Sequence, residues 1–461
     1  MAPSPGPRRL QRRASARGEE RDQPPRARRQ AARLPRGPQA DPLVSGARPA
    51  IPLAVLRLPE QRYSCHGCGD CCRDFTVQLR PPDLERLRAQ GWEERLGRPV
   101  TAEFRGGSFL AQREDGACVL LMEGGRCRIH AEHGLEAKPI ACQLFPWILA
   151  PDARRAHVGI SFACASVLGS RGSDLGAHAR DVRRMAGDVP ELAPARTFLD
   201  AATEATPEEA DAVAETLDAW LRERSRPLAL RLDGLAWLGQ QLARARFAKV
   251  RGPRLRELME TLVTALPDEL PLHPVEPPTR AQRATLRQAA FFRLEDPKIP
   301  EISRTGRLRT VVGQYLRSRR FARARGPVPA MGARWPGGFA FEAVDRVTRL
   351  EASPDVDAID ELLTRWLRAT VLGHRAWGSG YHGWPVVDGL QALALNAACV
   401  RWLAQLHAAG ASRAEPVLED VRAALGRVDR ACGRAPWIGS RAERMRLSYL
   451  RIDDGLRRIL R

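Results

Sequence analysis

The residues best equipped for chemistry are the ten cysteines, because they are spread so unevenly along the 461-residue chain. Cys65, Cys68, Cys71, Cys72, Cys118, Cys127, Cys142 and Cys164 crowd one stretch, and only Cys399 and Cys432 lie outside it. The tightest element is Cys65-His-Gly-Cys68-Gly-Asp-Cys71-Cys72-Arg73. Two residues between ligands let both thiolates face one loop, and Gly67 and Gly69 give the backbone the left-handed freedom that such knuckles use. One turn of chain can thus present three sulfurs to one centre. Cys65, Cys68 and Cys71 also match the first three positions of a bacterial ferredoxin run, but the fourth falls on Phe75, so a fourth ligand must come from Cys118, Cys127, Cys142 or Cys164. Adjacent Cys71 and Cys72 are expected to point apart, serving two centres or leaving one of them structural. Eight sulfurs make two sets of four, or one cluster with spare thiols. Redox-inert zinc suits a structural role and the ferredoxin-like triplet suits an iron–sulfur cluster, so both stay open.

Other candidates carry less. His66, His130 and His133 lie beside the cysteines and could each replace a thiolate, although a hydrogen bond to sulfur or a surface position is the expected role. Asp70 and Asp74 add negative charge there, and Arg73, Arg126 and Arg128 offset it. Cys399, in an apolar run, reads as a small core residue. Gly378-Ser-Gly380-Tyr-His-Gly383 matches GxGxxG, but no strand precedes it, so it reads as an interhelical loop. Trp377, Tyr381, His382 and Trp384 around it are candidates to line an apolar cleft. No Ser/His/Asp, P-loop or HExxH arrangement occurs, and no catalytic residue is assigned. The radical signature CxxxCxxC fails because Phe75 stands at its third position.

The elements that must position the cysteines divide the chain in three. Residues 1–50 hold 12 Arg and 9 Pro against 4 acidic residues, which reads as a disordered basic tail. Residues 51–180 read as a small α+β domain with strand-like runs at Phe75–Leu79, Val119–Met122 and His157–Phe162. Within it Pro81-Pro82-Asp83 opens a helix containing Leu84, Leu87 and Leu96, with Asp83 as N-cap. So many short pieces need cross-links, and bound metal would supply them. Residues 181–461 read as a helical domain of about eight to ten helices. Its stripes are Leu255, Leu258 and Leu262; Leu308, Val311, Val312, Tyr315 and Leu316; and Ile359, Leu362, Leu363, Trp366 and Leu367, all expected to face the core. Proline-rich breaks fall near 267–278 and 327–336. The expected fold is therefore a metal-stapled α+β cysteine domain followed by a mainly α-helical one, predominantly α overall.

The cysteine region resembles a known family. CxxCGxCC-Arg, then Gly-Ala-Cys118-Val-Leu-Leu, Cys127-Arg-Ile-His and Pro139-Ile-Ala-Cys142-Gln-Leu-Phe145-Pro146, are similar to the YkgJ-type cysteine-cluster family of zinc- or iron-chelating proteins. The resemblance covers about residues 60–165 and implies Cys65, Cys68, Cys71, Cys72, Cys118, Cys127 and Cys142 as ligands, with Cys164 at a less constant position. The family often has Arg-Pro where this chain has Lys138-Pro139, and Cys-Pro-Gly where it has Cys164-Ala165-Ser166. A long helical extension on such a core resembles flagellin lysine-N-methylase relatives, which are associated with S-adenosylmethionine; Tyr315-Leu-Arg-Ser-Arg-Arg-Phe321 carries this weaker likeness.

The leading expectation is a metal-binding protein, with zinc or an iron–sulfur cluster in the cysteine domain and a helical domain that recognises a protein partner or substrate. The alternatives are an S-adenosylmethionine-dependent protein-lysine methyltransferase and a nucleic-acid-binding factor working through the basic tail. The formal charge of +20 comes almost wholly from arginine, with Lys138, Lys249 and Lys298 the only lysines. In an Ala/Arg/Pro-rich chain it reflects composition more than a nucleic-acid partner. No uncharged apolar run reaches about 18 residues, which argues against a transmembrane helix. Arg8-Arg9 and Arg12-Arg13 are not followed by an apolar run, so the expected location is the cytoplasm, where closely spaced cysteines point to metal before disulfides.

Overall fold

The structure, a computed structural model, describes residues 52–56, 58–189, 193–296, 299–332 and 335–461. The basic tail read over residues 1–50 lies outside them. Ala50–Arg461 form one compact unit.

The first part is built from short pieces: β1 (Leu53–Val55), β2 (Arg62–Tyr63), α1 (Asp70–Asp74), β3 (Gln78–Leu79), α2 (Pro81–Ala89), α3 (Trp92–Leu96), β4 (Thr101–Phe104) and β5 (Gly107–Leu110). Then come α4 (Arg128–His133), α5 (Ile140–Leu144), β6 (Trp147–Pro151), β7 (Ala156–Ile160), α6 (Ala165–Leu168), β8 (Ser173–Asp174) and α7 (Ala179–Gly187). β7 is the centre of one sheet, with β1 parallel on one side (Ala54 opposite His157) and β6 antiparallel on the other (Leu149 opposite Val158). All five residues of β7 are buried, as in a strand covered on both faces. β3, β5 and β4 form a second, antiparallel sheet. Beside it Leu79, Leu87, Trp92, Val100, Leu110, Leu120 and Ile129 make a small separate core, and Cys72, Cys127 and Cys142 pack against it.

Local expectations were met unevenly. The strand expected at His157–Phe162 forms as β7 but ends at Ile160, whereas Phe75–Leu79 is a strand only at Gln78–Leu79. Val119–Met122 is not a strand: its backbone turns, and isolated bridges pair Gln112 with Cys118 and Leu121 with Cys127. Leu120 and Leu121 are consecutive and both buried because the turn is wrapped on two sides. Asp83 is not the N-cap of α2. Arg80 holds that position and Asp83 sits three residues on, its carboxylate accepting from the Arg80 backbone N–H at 3.2 Å and from that of Ile140 at 3.0 Å.

After β9 (Thr197–Phe198) and β10 (Glu204–Ala205) the chain is helical: α8 (Pro207–Leu221), α9 (Leu228–Leu242), α10 (Pro253–Leu272), α11 (Arg280–Leu294), α12 (Ile299–Thr305), α13 (Arg307–Arg323), α14 (Val356–Leu372), α15 (Val386–Gly410), α16 (Leu418–Ala431), α17 (Arg441–Leu450) and α18 (Gly455–Leu460). The fold is predominantly α. α15 is buried almost all round and packs against α9, α11 and α16, which is why its sequence has no polar stripe. Pro267 and Pro271 fall inside α10, so that helix runs on to Leu272 and the expected break starts only at His273. Ile359, Leu362, Leu363, Trp366 and Leu367 are buried on α14 as their spacing demands. The stripe on α13 is overturned. Leu308, Val311, Val312, Tyr315 and Leu316 are 48–77% exposed, and the face that packs inward carries Ser318 and Phe321 instead. Periodicity marks a shared face; it does not say whether a neighbour covers that face.

Asp429 on α16 ties the two parts together. Its carboxylate accepts from Ser161 Oγ (2.7 Å), the Ala163 backbone N–H (3.3 Å), Trp366 Nε1 (3.1 Å) and Arg375 Nη2 (2.9 Å). Four donors satisfy a buried carboxylate that would otherwise be costly.

Candidate metal centre

Each cysteine is delivered by a short element with a local reason for its shape. Gly67 and Gly69 take left-handed backbone angles (φ 65° and 75°), which turn the Cys65–Cys68 loop back on itself. The Gly69 carbonyl then accepts from Cys72 N (3.0 Å) and Arg73 N (3.2 Å), starting α1, which carries Cys71 and Cys72. Cys118 is held beside them by its own N–H, which donates to the Cys72 carbonyl at 2.8 Å. Cys127 and Cys164 are the residues from which α4 and α6 start, and Cys142 sits in α5.

These segments converge on two adjoining cavities. One is lined by Cys65, Cys68, Cys71, Cys72, Cys127, Cys142 and Cys164; the other by Cys71, Cys72, Cys118, Cys127 and Cys142. Four cysteines, 71, 72, 127 and 142, therefore form the wall between them. Cys71 and Cys72 were expected to diverge, yet their sulfurs are 4.0 Å apart. Among the described residues no three cysteine sulfurs lie within 4.8 Å of one another, and Cys65 and Cys68 are exposed. The cysteines are therefore gathered around the two cavities without forming a closed set of ligands.

Five of the thiols, those of Cys68, Cys71, Cys118, Cys142 and Cys164, are pushed toward their protonated form. Burial raises Cys118 to about 11 and Cys164 to about 12. Cys71 is pushed well above its ordinary value, first by its contact with the Cys72 sulfur and then by burial, and Cys142 is pushed up by burial. Burial opposes the charge of Lys138, yet Cys142, Cys127, Cys71 and Cys72 around it hold its pKa above the usual lysine value. One ammonium cannot balance several thiolates at once. A bound cation would, and this soft, all-sulfur donor set fits zinc or an iron–sulfur centre rather than magnesium or calcium.

The neighbouring histidines take the milder roles. His66 is exposed, with Nδ1 2.9 Å from Ser166 Oγ; His130 is exposed on the rim of the first cavity; and His133 packs edge-on against Trp92. Cys399 is fully buried in α15. The loop at 378–383 closes as a tight turn, Gly378 N donating to Trp384 O at 2.8 Å. Trp377, Tyr381 and Trp384 are at most 2% exposed and fill the core instead of lining a cleft.

One cluster was invisible in the sequence. His157 on β7, Asp211 on α8 and His374 just past α14 bring ligand atoms within 4.8 Å of one another. The two imidazoles stack face to face, centroids 3.5 Å apart and planes 11° apart. Parallel rings cannot both aim their in-plane lone pairs at one ion between them, and Arg155 already pairs with Asp211. The cluster is a buried hydrogen-bonded junction, with His157 Nε2 3.0 Å from Asp152 and His374 Nε2 3.2 Å from Asp211.

Comparison with known proteins agrees with the cysteine geometry. Residues 64–161 match the family CxxCxxCC, described as "Putative zinc- or iron-chelating domain", so this stretch is similar to the cysteine-cluster domains of that family. The family description supports a metal cofactor. An uncharacterized protein of Methanocaldococcus jannaschii is 32% identical over 85 residues, which is 18% of this chain and 29% of that relative. The chain thus spans less than a third of the curated relative it matches. No solved structure matches. Among the described residues no helix is long and apolar enough to cross a membrane.

Proposed function

We propose that the protein binds zinc or an iron–sulfur cluster through thiolates drawn from Cys65, Cys68, Cys71, Cys72, Cys118, Cys127, Cys142 and Cys164, and that the helical part recognises a protein partner or substrate. The observation that carries the metal reading is the four-cysteine wall, because residues from α1, α4 and α5 share it and no packing need explains so many thiols in one place. Cys71, Cys72, Cys127 and Cys142 would hold the metal, with Cys65, Cys68 and Cys164 on one side and Cys118 on the other. Bound metal would cross-link pieces too short to be stable by apolar burial alone. Anaerobic purification with metal and sulfide analysis tests this. A brown protein with acid-labile sulfide means an iron–sulfur cluster, a colourless one with stoichiometric zinc means a zinc site, and a preparation that takes up neither metal overturns the reading.

A further inference from the structure

The second cavity has more in it than sulfur. It measures about 290 Å³, and opposite the cysteine wall it is lined by apolar side chains, among them Phe75, Leu110, Leu120, Ile129, Leu144 and Phe145. That is roughly twice the size of a cavity that takes one benzene, so it has room for a ring with a short chain or for a medium-length alkyl chain.

Into this apolar space the loop after α16 sends Arg434. Its guanidinium lies 5.0 Å from the Phe75 ring centre and 5.8 Å from that of Phe145, and the residue lines the cavity while remaining solvent-exposed. Among the described residues it has no carboxylate partner. The nearby acids are engaged elsewhere: Asp429 by Ser161, Trp366 and Arg375, and Asp74 by Arg430. A second cation, Lys138, lines the same cavity. Aromatic faces attract a cation, but they do not supply a counter-charge. A carboxylate does, and it matches the planar guanidinium fork.

We propose that this cavity binds an organic carboxylate whose apolar body, of ring or medium-chain size, lies between the phenyl rings and the cysteine wall and whose charged end meets Arg434. The metal reading is not required for this site, although the ligand would lie against the residues proposed to hold the metal.

The test is titration of the purified full-length protein with octanoate and, separately, with octanol, read by calorimetry and by the change in tryptophan fluorescence, Trp147 being one of the residues that line the cavity. Octanoate should bind saturably at one site and at least tenfold more tightly than octanol. Arg434→Gln should remove that preference, weakening octanoate tenfold or more while octanol is unchanged, and Arg434→Lys should restore part of it. Equal binding of the two probes by the wild-type protein, no saturable binding of octanoate, or an unchanged preference in Arg434→Gln would each overturn the proposal. The wild-type comparison decides even if the variants fold poorly. Metal content measured on the same samples separates the two readings: metal-free protein that still prefers octanoate keeps this site and sinks the metal, and metal-loaded protein without the preference does the reverse.

Discussion

Gly69 and Gly125 pack backbone on backbone. A methyl group placed on Gly69 would lie 2.7 Å from the Gly125 carbonyl oxygen, and one on Gly125 would lie 2.6 Å from the Cys68 carbonyl oxygen. This contact docks the Cys65–Cys68 loop on the turn that leads to Cys127. Gly125→Ala must therefore push the loop away as well as strain a left-handed residue (φ 88°). It should destabilise the protein by about 2–4 kcal/mol and lower its metal content. Gly124→Ala is the control, since Gly124 is also left-handed but meets nothing within 4 Å; only the backbone strain, about 1–2 kcal/mol, should appear. Equal effects of the two on metal content would show that the glycine contact does not position the ligands.

Replacing Cys68 or Cys71 with Ser should release metal and speed tryptic cleavage within residues 64–161. The small core around Leu120 and Ile129 leans on the cysteines, whereas the core under β7 continues into α14 and α15 and should hold. Cys399→Ala should keep its metal, because that residue is buried in α15, outside both cavities. Full metal content in both serine variants would refute the ligand assignment.

Acid should act first at the stacked histidines. Burial is the leading cause that lowers both His157 and His374 to about 4, with Arg155 opposing their protonation and Asp152 favouring it. The folded pKa lies below the unfolded value near 6.5, so between about pH 6.5 and 4 the unfolded chain binds more protons and stability falls as pH falls. The loss should reach on the order of 3 kcal/mol by pH 4 for each histidine. His157→Gln should flatten this slope by about half in thermal melts across that window. An unchanged slope would place the acid sensitivity elsewhere.

The exposed stripe on α13 makes a direct contrast with α14. Leu316→Ser should change stability by less than about 0.5 kcal/mol, since Leu316 is 60% exposed. Leu367→Ala, fully buried, should cost about 2–5 kcal/mol. Urea titration distinguishes the two, and a large loss at Leu316 would mean that α13 packs against something in solution.

Fold class was legible because helical spacing and cysteine spacing are local signals. Ile359 through Leu367 announced a helix face, and the knuckle glycines announced the Cys65–Cys68 loop. What could not be read is long-range pairing. Leu308 through Leu316 show the same period as α14 but stay exposed among the described residues, and no pattern in one segment reveals that. His157, Asp211 and His374 are far apart in sequence and meet only because β7, α8 and α14 pack together. Arg434 is one arginine among many until Phe75 and Phe145 are seen beneath it.

The bond between Ser161 and Asp429 spans 268 residues. At roughly 5–20 residues per second of synthesis, a ribosome adds the intervening chain in roughly 13–54 s. During that interval the eight clustered thiols have left the ribosome without the helical buttress that later seats their sheet. A metal site that depends on that buttress would be completed only after the helical part has been made.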